Sequence, residues 1–159
     1  MSEDEAFRLV HMLALFLFAA GVGGTLLPLY RSWSSGDVIA QAHAFQSAGR
    51  SQVGVMLPGL ILVGVTGLVW AIRSDIYDPI ETGWLLAVEG LYLFVLFVCF
   101  PAMSAGLRRA RLLALQALKS GEVSPELEET LADQAPLVVG TVIVLVSVLA
   151  AALAIVKPF

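Results

Sequence analysis

The chain has 159 residues, of which 58% are hydrophobic and only 14% are charged, and its mean hydropathy is +0.88. Soluble domains carry a charge on about a quarter of their residues, so this composition excludes an ordinary soluble protein. The net charge of −4 includes no basic block, which argues against nucleic-acid binding. A single cysteine, Cys99, excludes a disulfide framework and a cysteine-based zinc site.

Four apolar runs are each long enough to cross a bilayer as an α-helix, since a core of about 30 Å requires roughly 20 helical residues. These runs cover residues 7–30, 51–72, 82–107 and 134–156. The segment before the first run, MSEDEAFR, is acidic where a signal peptide would be basic, so we expect this helix to be retained. The sequence predicts an all-α polytopic membrane protein, an antiparallel four-transmembrane-helix bundle that forms a single domain over residues 1–159.

The distribution of basic residues predicts the orientation of this bundle. The first and third connections contain Arg31, Arg50, Arg108, Arg109, Arg111 and Lys119. The opposite side contains fewer, namely Arg8, Arg73 and Lys157. Because cytoplasmic loops carry an excess of basic residues, we expect these two connections in the cytoplasm and both termini outside.

The first connection contains the pattern of a short amphipathic helix. Asp37 is a suitable N-cap, and an apolar side follows it, made of Val38, Ile39, Ala42 and Phe45. We expect this helix to lie at the membrane surface.

The third predicted helix continues beyond the membrane in the residues LRRARLLALQALKSG. Good helix formers run to about Lys119, and Gly121 provides a stop. Ser124 followed by Pro125 then predicts the start of another helix. The arginines of the extension, Arg108, Arg109 and Arg111, are expected at the headgroups, where they would bind anionic lipid.

Two ionisable side chains fall inside the predicted spans, where such groups are costly unless they are partnered. His11 lies about 9 Å into the first span, and Glu89 lies about 12 Å into the third, both from the same face of the membrane. Thr66 and Ser147 lie at similar or somewhat greater depths in the second and fourth spans. The sequence therefore predicts a polar site in the outer third of the bundle, centred on His11 and Glu89.

Several roles are open for this site. The plainest is structural: Glu89 hydrogen-bonds His11 and fixes the first helix against the third. A contact with another subunit and a proton or small-solute pathway are alternatives. Haem b is a further alternative, since four-helix bundles hold haem through imidazole ligands. His43 is predicted on the opposite side of the membrane, so His11 would need single ligation, or a methionine ligand from among Met12, Met56 and Met103.

Copper is a weaker alternative at a different level of the bundle. Cys99 and Met103 are spaced i and i+4, so they share one face of the third helix. A thiolate and a thioether are soft ligands that suit Cu(I). A metal site would then involve His11, Cys99 or Met103, although ordinary packing explains the same spacing.

The stretch FRLVHMLALFLFAAGVGGTLLPLY, which contains His11, resembles the first helix of small bacterial membrane proteins related to the copper-resistance protein CopD and to the protoporphyrinogen oxidase HemJ. The stretch MLPGLILVGVTGLVWAI resembles the second helix of uncharacterised predicted integral membrane proteins in that broad group. The resemblance implies a four-helix bundle in a bacterial inner membrane with a polar site at His11. HemJ-like proteins also use a lysine on a later helix, where the third helix of this chain has Glu89.

The sequence therefore favours a non-catalytic membrane subunit or accessory protein that contacts the lipid bilayer and packs against other membrane subunits or against itself. The alternatives are a haem-binding or copper-handling protein of CopD/HemJ-like type and a proton or solute pathway.

Overall fold

The structure, a computed structural model, describes residues 3–33, 37–73, 78 and 80–158, with the side chains of Trp33 and Leu118 excepted. Every regular element in these ranges is helical, so the prediction of an all-α fold is confirmed. The helices are α1 (Glu3–Trp33), α2 (Val38–Ser51), α3 (Leu57–Arg73), α4 (Gly83–Phe94), α5 (Phe100–Ser120), α6 (Pro125–Ala132) and α7 (Ala135–Val156).

Four helical stretches are long and apolar enough to cross a membrane, which confirms the predicted number of spans. They are Glu3–Ser32, Val38–Arg73, Gly83–Ala117 and Pro125–Val156. The second and third contain 36 and 35 residues. A helix of that length is about 53 Å long, well beyond a hydrocarbon core of about 30 Å, so both project from the membrane.

The helix predicted in the first connection begins where expected but does not end before the second span. The backbone N–H of Ile39 donates to Oδ1 of Asp37 at 2.9 Å, which confirms the N-cap. From there the helix continues through the π turn Gln52–Met56 into the membrane, because no proline occurs between Val38 and Pro58. The side chain of Phe45 is buried in the core, whereas Ile39 remains exposed.

Two π-helical turns, Gln52–Met56 and Val95–Cys99, join α2 to α3 and α4 to α5. Each turn ends two residues before a proline, Pro58 or Pro101. A proline ring clashes with the carbonyl four residues earlier and cannot donate to it. Widening the preceding turn, so that N–H groups bond five residues back, lets the helix pass the proline without ending. The two spans therefore stay continuous.

Side-chain contacts show that α1 and α3 run antiparallel and define two ends of the bundle. At one end, which we call the Trp70 end, α1 begins where α3 finishes, and Arg73 forms an ion pair with Glu3. At the other, which we call the α6 end, Gln41 donates to the carbonyl of Ser32 at 3.4 Å. The predicted C-cap at Gly121 and N-cap at Ser124 are both observed at the α6 end.

Glycines allow the closest approach in the bundle, between α1 and the helix formed by α2 and α3. A Cβ atom on Gly21 would overlap the backbone of Met56, and one on Gly59 would lie 2.5 Å from the backbone nitrogen of Phe18. A Cβ atom on Gly23 or Gly54 would meet nothing within 4 Å. Since lipid provides no hydrophobic force between helices, this close backbone packing is what holds α1 in place.

Candidate functional site

The imidazole of His11 lies on α1 against the C-terminal half of α3. Its ring centroid is 6.1 Å from that of Trp70, and the two rings are tilted by 47°. On its other side the ring covers Gly67, where an added Cβ would lie 3.0 Å from Cε1 of His11. The glycine therefore leaves room for the imidazole, which lies half-buried between α1 and α3.

The hydrogen bond of His11 is made to Thr66. Nδ1 of His11 lies 2.9 Å from Oγ1 of Thr66. The Thr66 hydroxyl in turn lies 2.6 Å from the carbonyl oxygen of Leu62, to which it donates. Because its single proton is used there, the hydroxyl accepts from His11, so the neutral imidazole is protonated on Nδ1 and leaves the lone pair of Nε2 available.

The predicted hydrogen bond between His11 and Glu89 is absent from the structure. Among the described residues, His11 has no hydrogen bond or ion pair with Glu89, and its partner is Thr66. The reason is the order of packing: α1 lies mainly along α3, while α4, which carries Glu89, lies mainly along α7. Ser147 is not part of a cluster either, because its hydroxyl donates to Ile143 of its own helix at 2.7 Å.

Glu89 is half-buried on α4, and the structure gives its carboxyl group no hydrogen bond or ion pair to any described residue. One turn further along, Tyr92 faces α3, where its hydroxyl donates to the carbonyl of Leu60 at 3.2 Å and its ring covers Gly64. The polar link between α4 and α3 is therefore made by Tyr92. Glu89 stands beside it without a partner from the described chain.

Sequence reasoning missed a network of charged and aromatic side chains that closes the Trp70 end. Nε1 of Trp70 donates to Asp4 of α1, and the guanidinium of Arg8 lies 5.8 Å from the Trp70 ring centroid. Arg73 bonds Glu3 and lies 5.4 Å from the Phe7 ring. The acidic residues of the N-terminal segment, whose charge in the sequence argued only against a signal peptide, therefore bind α3 through their side chains.

Cys99 and Met103 both face the interior of the bundle, with exposures of 4% and 1%. They belong to the main hydrophobic cluster, together with Met56. Within the described ranges no group of three or more His, Cys, Asp and Glu side chains is placed to hold a metal ion. The pair thus fills core space, and copper ligation at these residues stays a prediction.

One feature of the structure fits haem binding at His11, and two do not. Nε2 of His11 is the nitrogen that an iron atom would use, and the Thr66 bond fixes the ring in the matching tautomer. His43, however, is exposed on α2 at the α6 end, far along the bundle from His11. Two cavities, of about 210 and 390 Å³, both lie at the α6 end, and neither is lined by His11 or Glu89.

The three arginines expected at the headgroups are not equivalent. Arg109 forms an ion pair with Glu126 of α6, with Nη2 and Oε1 3.2 Å apart. Arg108 and Arg111 are exposed, and Arg111 lines the smaller cavity between α2 and α5. Of the three, Arg109 serves to hold α6 against α5, and the other two remain available for lipid.

Comparisons with known proteins give one match. The model of a family described as "Predicted integral membrane protein (DUF2269)" matches residues 5–158, which is nearly the whole chain. Searches of curated proteins and of solved structures find no match. The match agrees with the predicted likeness to uncharacterised integral membrane proteins and does not extend to CopD or HemJ.

Proposed function

We propose, from the premise that the chain belongs to the DUF2269 family of predicted integral membrane proteins, that it is a non-catalytic accessory subunit of the membrane. In this proposal His11 has a structural role, and Glu89 binds a transmembrane helix of a different protein. The observation that carries it is the half-buried carboxyl group of Glu89, which lies within a membrane span and has no hydrogen-bond partner among the described residues.

His11 supports the structural part of this proposal. The bond to Thr66, the glycine beneath the ring and the neighbouring indole of Trp70 together occupy three sides of the imidazole. Hydrogen bonds between membrane helices contribute about 0.6 kcal/mol on average and up to about 1.7 kcal/mol. The bond of His11 is therefore one of several side-chain contacts that stabilise the packing of α1 against α3.

The face of α4 that carries Glu89 supports the binding part. Leu86, Gly90 and Leu93 share this face at helical spacing, and Phe97 follows in the π turn after α4; Leu86 and Phe97 are 53% and 69% exposed. Gly90 has no atom near the position of its absent side chain, so a second helix can approach there. A carboxyl group in lipid is strongly disfavoured without a partner, so a helix that offers a donor at this level gains a specific contact.

Charge complementarity favours a different protein over a second copy of this chain. A symmetric pair of α4 helices would place identical residues opposite each other, so two Glu89 carboxyl groups would meet. That arrangement requires one of them to bind a proton. A partner with lysine, arginine, histidine or asparagine at this depth satisfies the carboxylate directly.

Photocrosslinking in cells tests this proposal. A benzoylphenylalanine residue replaces Phe97, which is exposed in the π turn that follows α4, or Leu145, which is 64% exposed on α7. We expect a discrete heteromeric adduct from position 97 that is reduced at least tenfold by Glu89→Gln, and lipid adducts only from position 145.

Two outcomes would count against the proposal. The first is a position-97 adduct with the mass of two copies of this chain. The second is an adduct pattern that Glu89→Gln leaves unchanged while the variant inserts normally. Glu81→Gln, which removes an exposed carboxylate just outside α4, is the matched control and should leave the adduct intact.

A haem-associated role is the second candidate, and it is favoured by the bond between Nδ1 of His11 and Thr66, because that bond leaves Nε2 as the nitrogen for an iron atom. The CopD/HemJ resemblance points in the same direction. If it holds, protein purified from haem-replete cells has a Soret band that His11→Ala removes and Thr66→Val weakens, because Thr66 orients the ring. A colourless preparation after haem reconstitution excludes this role.

The same proposal includes an orientation in a bacterial inner membrane, with the α6 end in the cytoplasm. The arginines concentrated at that end support it. A membrane-impermeant maleimide added to intact cells should then label Glu81→Cys but not Glu122→Cys. Labelling of Glu122→Cys but not of Glu81→Cys would mean that the orientation is the opposite one. The proposed contact of Glu89 does not depend on this orientation.

A further inference from the structure

Four arginines at the α6 end, Arg31, Arg50, Arg108 and Arg111, have no ion pair with a described carboxylate, and the last three lie on α2 and α5. Arg8, Arg73 and Arg109 each form an ion pair. Arg50, Arg108 and Arg111 form none with a described residue, and all three are exposed. An unpaired guanidinium group at a membrane surface is available to bind an anion.

Arg50, Arg108 and Arg111 lie on the two helices, α2 and α5, that form one groove, and Arg111 lines it. The groove contains a cavity of about 210 Å³, and His43, Gln46 and Arg111 are among its lining residues. Arg50 lies one helical turn beyond Gln46 on α2, and Arg108 lies about one turn from Arg111 on α5, both in the direction of the membrane.

A hydrogen bond closes this groove below the arginines. Nε2 of Gln52, whose side chain is 2% exposed, donates to Oγ of Ser104 at 2.8 Å. The bond joins the two projecting helices where they enter the membrane. The groove above it therefore has fixed walls, and the positions of the arginines relative to each other are set by two packed helices.

The arginines lie at the level of the lipid headgroups. Counting about 20 residues from Arg73 and from Trp84, which mark the opposite boundary, places the hydrocarbon edge near residues 53 and 104. Arg50, Arg108 and Arg111 then lie roughly 5 to 10 Å outside that edge, within or just beyond the headgroup layer. Val53, which is exposed, continues the side of the helix that bears Arg50 into the hydrocarbon.

We propose that this groove binds the phosphate of an anionic phospholipid supplied by the surrounding bilayer. Guanidinium groups bind phosphate oxygens through paired hydrogen bonds, and basic pockets between membrane helices select anionic headgroups. The carboxylate that lines the cavity, Glu122, follows α5 at the end remote from the membrane. The phosphate is therefore held at the arginine end, with its acyl chains directed toward Val53.

Titration of the purified full chain with fluorescent phosphatidylglycerol, in phosphatidylcholine nanodiscs, tests this site. Each arginine near a charged surface changes the affinity by about fivefold, so Arg50→Gln with Arg111→Gln should weaken binding by about 25-fold. Arg31→Gln is the matched control, because Arg31 is also exposed at the same end and forms no ion pair with a described residue. The control should retain the wild-type affinity.

The alternatives give different results in the same assay. Equal binding of phosphatidylglycerol and phosphatidylcholine would overturn the site, because the lipid would then not be selected by its charge. An equal loss in Arg31→Gln would overturn it in favour of diffuse surface charge. Displacement of the lipid by millimolar inorganic phosphate would show that a soluble anion is the ligand. Thermal unfolding of each variant in phosphatidylcholine alone should be unchanged, because the substituted side chains are exposed, and a lowered midpoint would instead assign these arginines to the fold.

Discussion

Alanine at Gly21 or Gly59 should destabilise the bundle by about 2 to 3 kcal/mol, as overpacking does when the blocking atoms belong to backbone. The added methyl group would overlap the backbone of Met56 in the first case and that of Phe18 in the second. Neither neighbour can rotate away, because both are helical backbone. The measurement is the free energy of unfolding in mixed micelles, followed by helical circular dichroism against sodium dodecyl sulfate.

Alanine at Gly23 or Gly54 should instead raise the free energy of unfolding. No atom lies within 4 Å of the methyl position at either residue, and alanine is the better helix former by up to about 1 kcal/mol. Equal destabilisation at all four glycines would mean that α1 does not pack against α2 and α3 through Gly21 and Gly59.

Met103→Ala should cost about 2 to 4 kcal/mol, because it removes a side chain that is 1% exposed and leaves a cavity in the main cluster. The same change at Met12, which is 46% exposed, should cost less than about 0.5 kcal/mol, since lipid fills the space. Unfolding in mixed micelles provides the comparison.

A Cu(I) chelator shows whether the effect of Met103→Ala arises from packing or from lost copper binding. The difference between the two methionine variants should be the same with and without a Cu(I) chelator, because packing alone explains it. If the chelator destabilises the wild type and leaves Met103→Ala unchanged, Met103 is a metal ligand and Cys99 is its partner on the same helix face.

The helices were predictable because their signals are local. Span length, the Asp37 and Ser124 caps and the Gly121 stop all follow from nearby residues, and the structure has each of them. The π turns could not be predicted from local residues. Pro58 indicates a disturbed helix, but whether the helix kinks, ends or widens there depends on its packing. The unbroken passage from α2 to α3 could not be foreseen for that reason.

The candidate site was predicted less well, because depth along the membrane does not determine which helices are neighbours. His11 and Glu89 were assigned to one level, and counting residues gives levels reliably. Which side chains meet depends on helix order and rotation, and these are set by Gly21 and Gly59 on one side and by Tyr92 on the other. Thr66 was named at the correct level, but its role as the partner of His11 required coordinates.

The charged residues near the boundaries show the same limit. Sequence patterns placed Arg108, Arg109 and Arg111 at the headgroups without distinguishing them, and only the position of Glu126 on α6 separates Arg109 from the others. Trp70 donates to Asp4 and Arg73 donates to Glu3, across 66 and 70 positions of the chain. No local pattern predicts such pairs.

The most direct test of the central claim is the mass of the assembly that contains this chain, extracted from native membranes in polymer discs and weighed by native mass spectrometry. We expect a heteromeric complex of fixed stoichiometry for the wild type and the free chain for Glu89→Gln, with both proteins inserted at equal levels. Identical masses for the two proteins, whether free or complexed, would contradict the claim that Glu89 holds a partner helix.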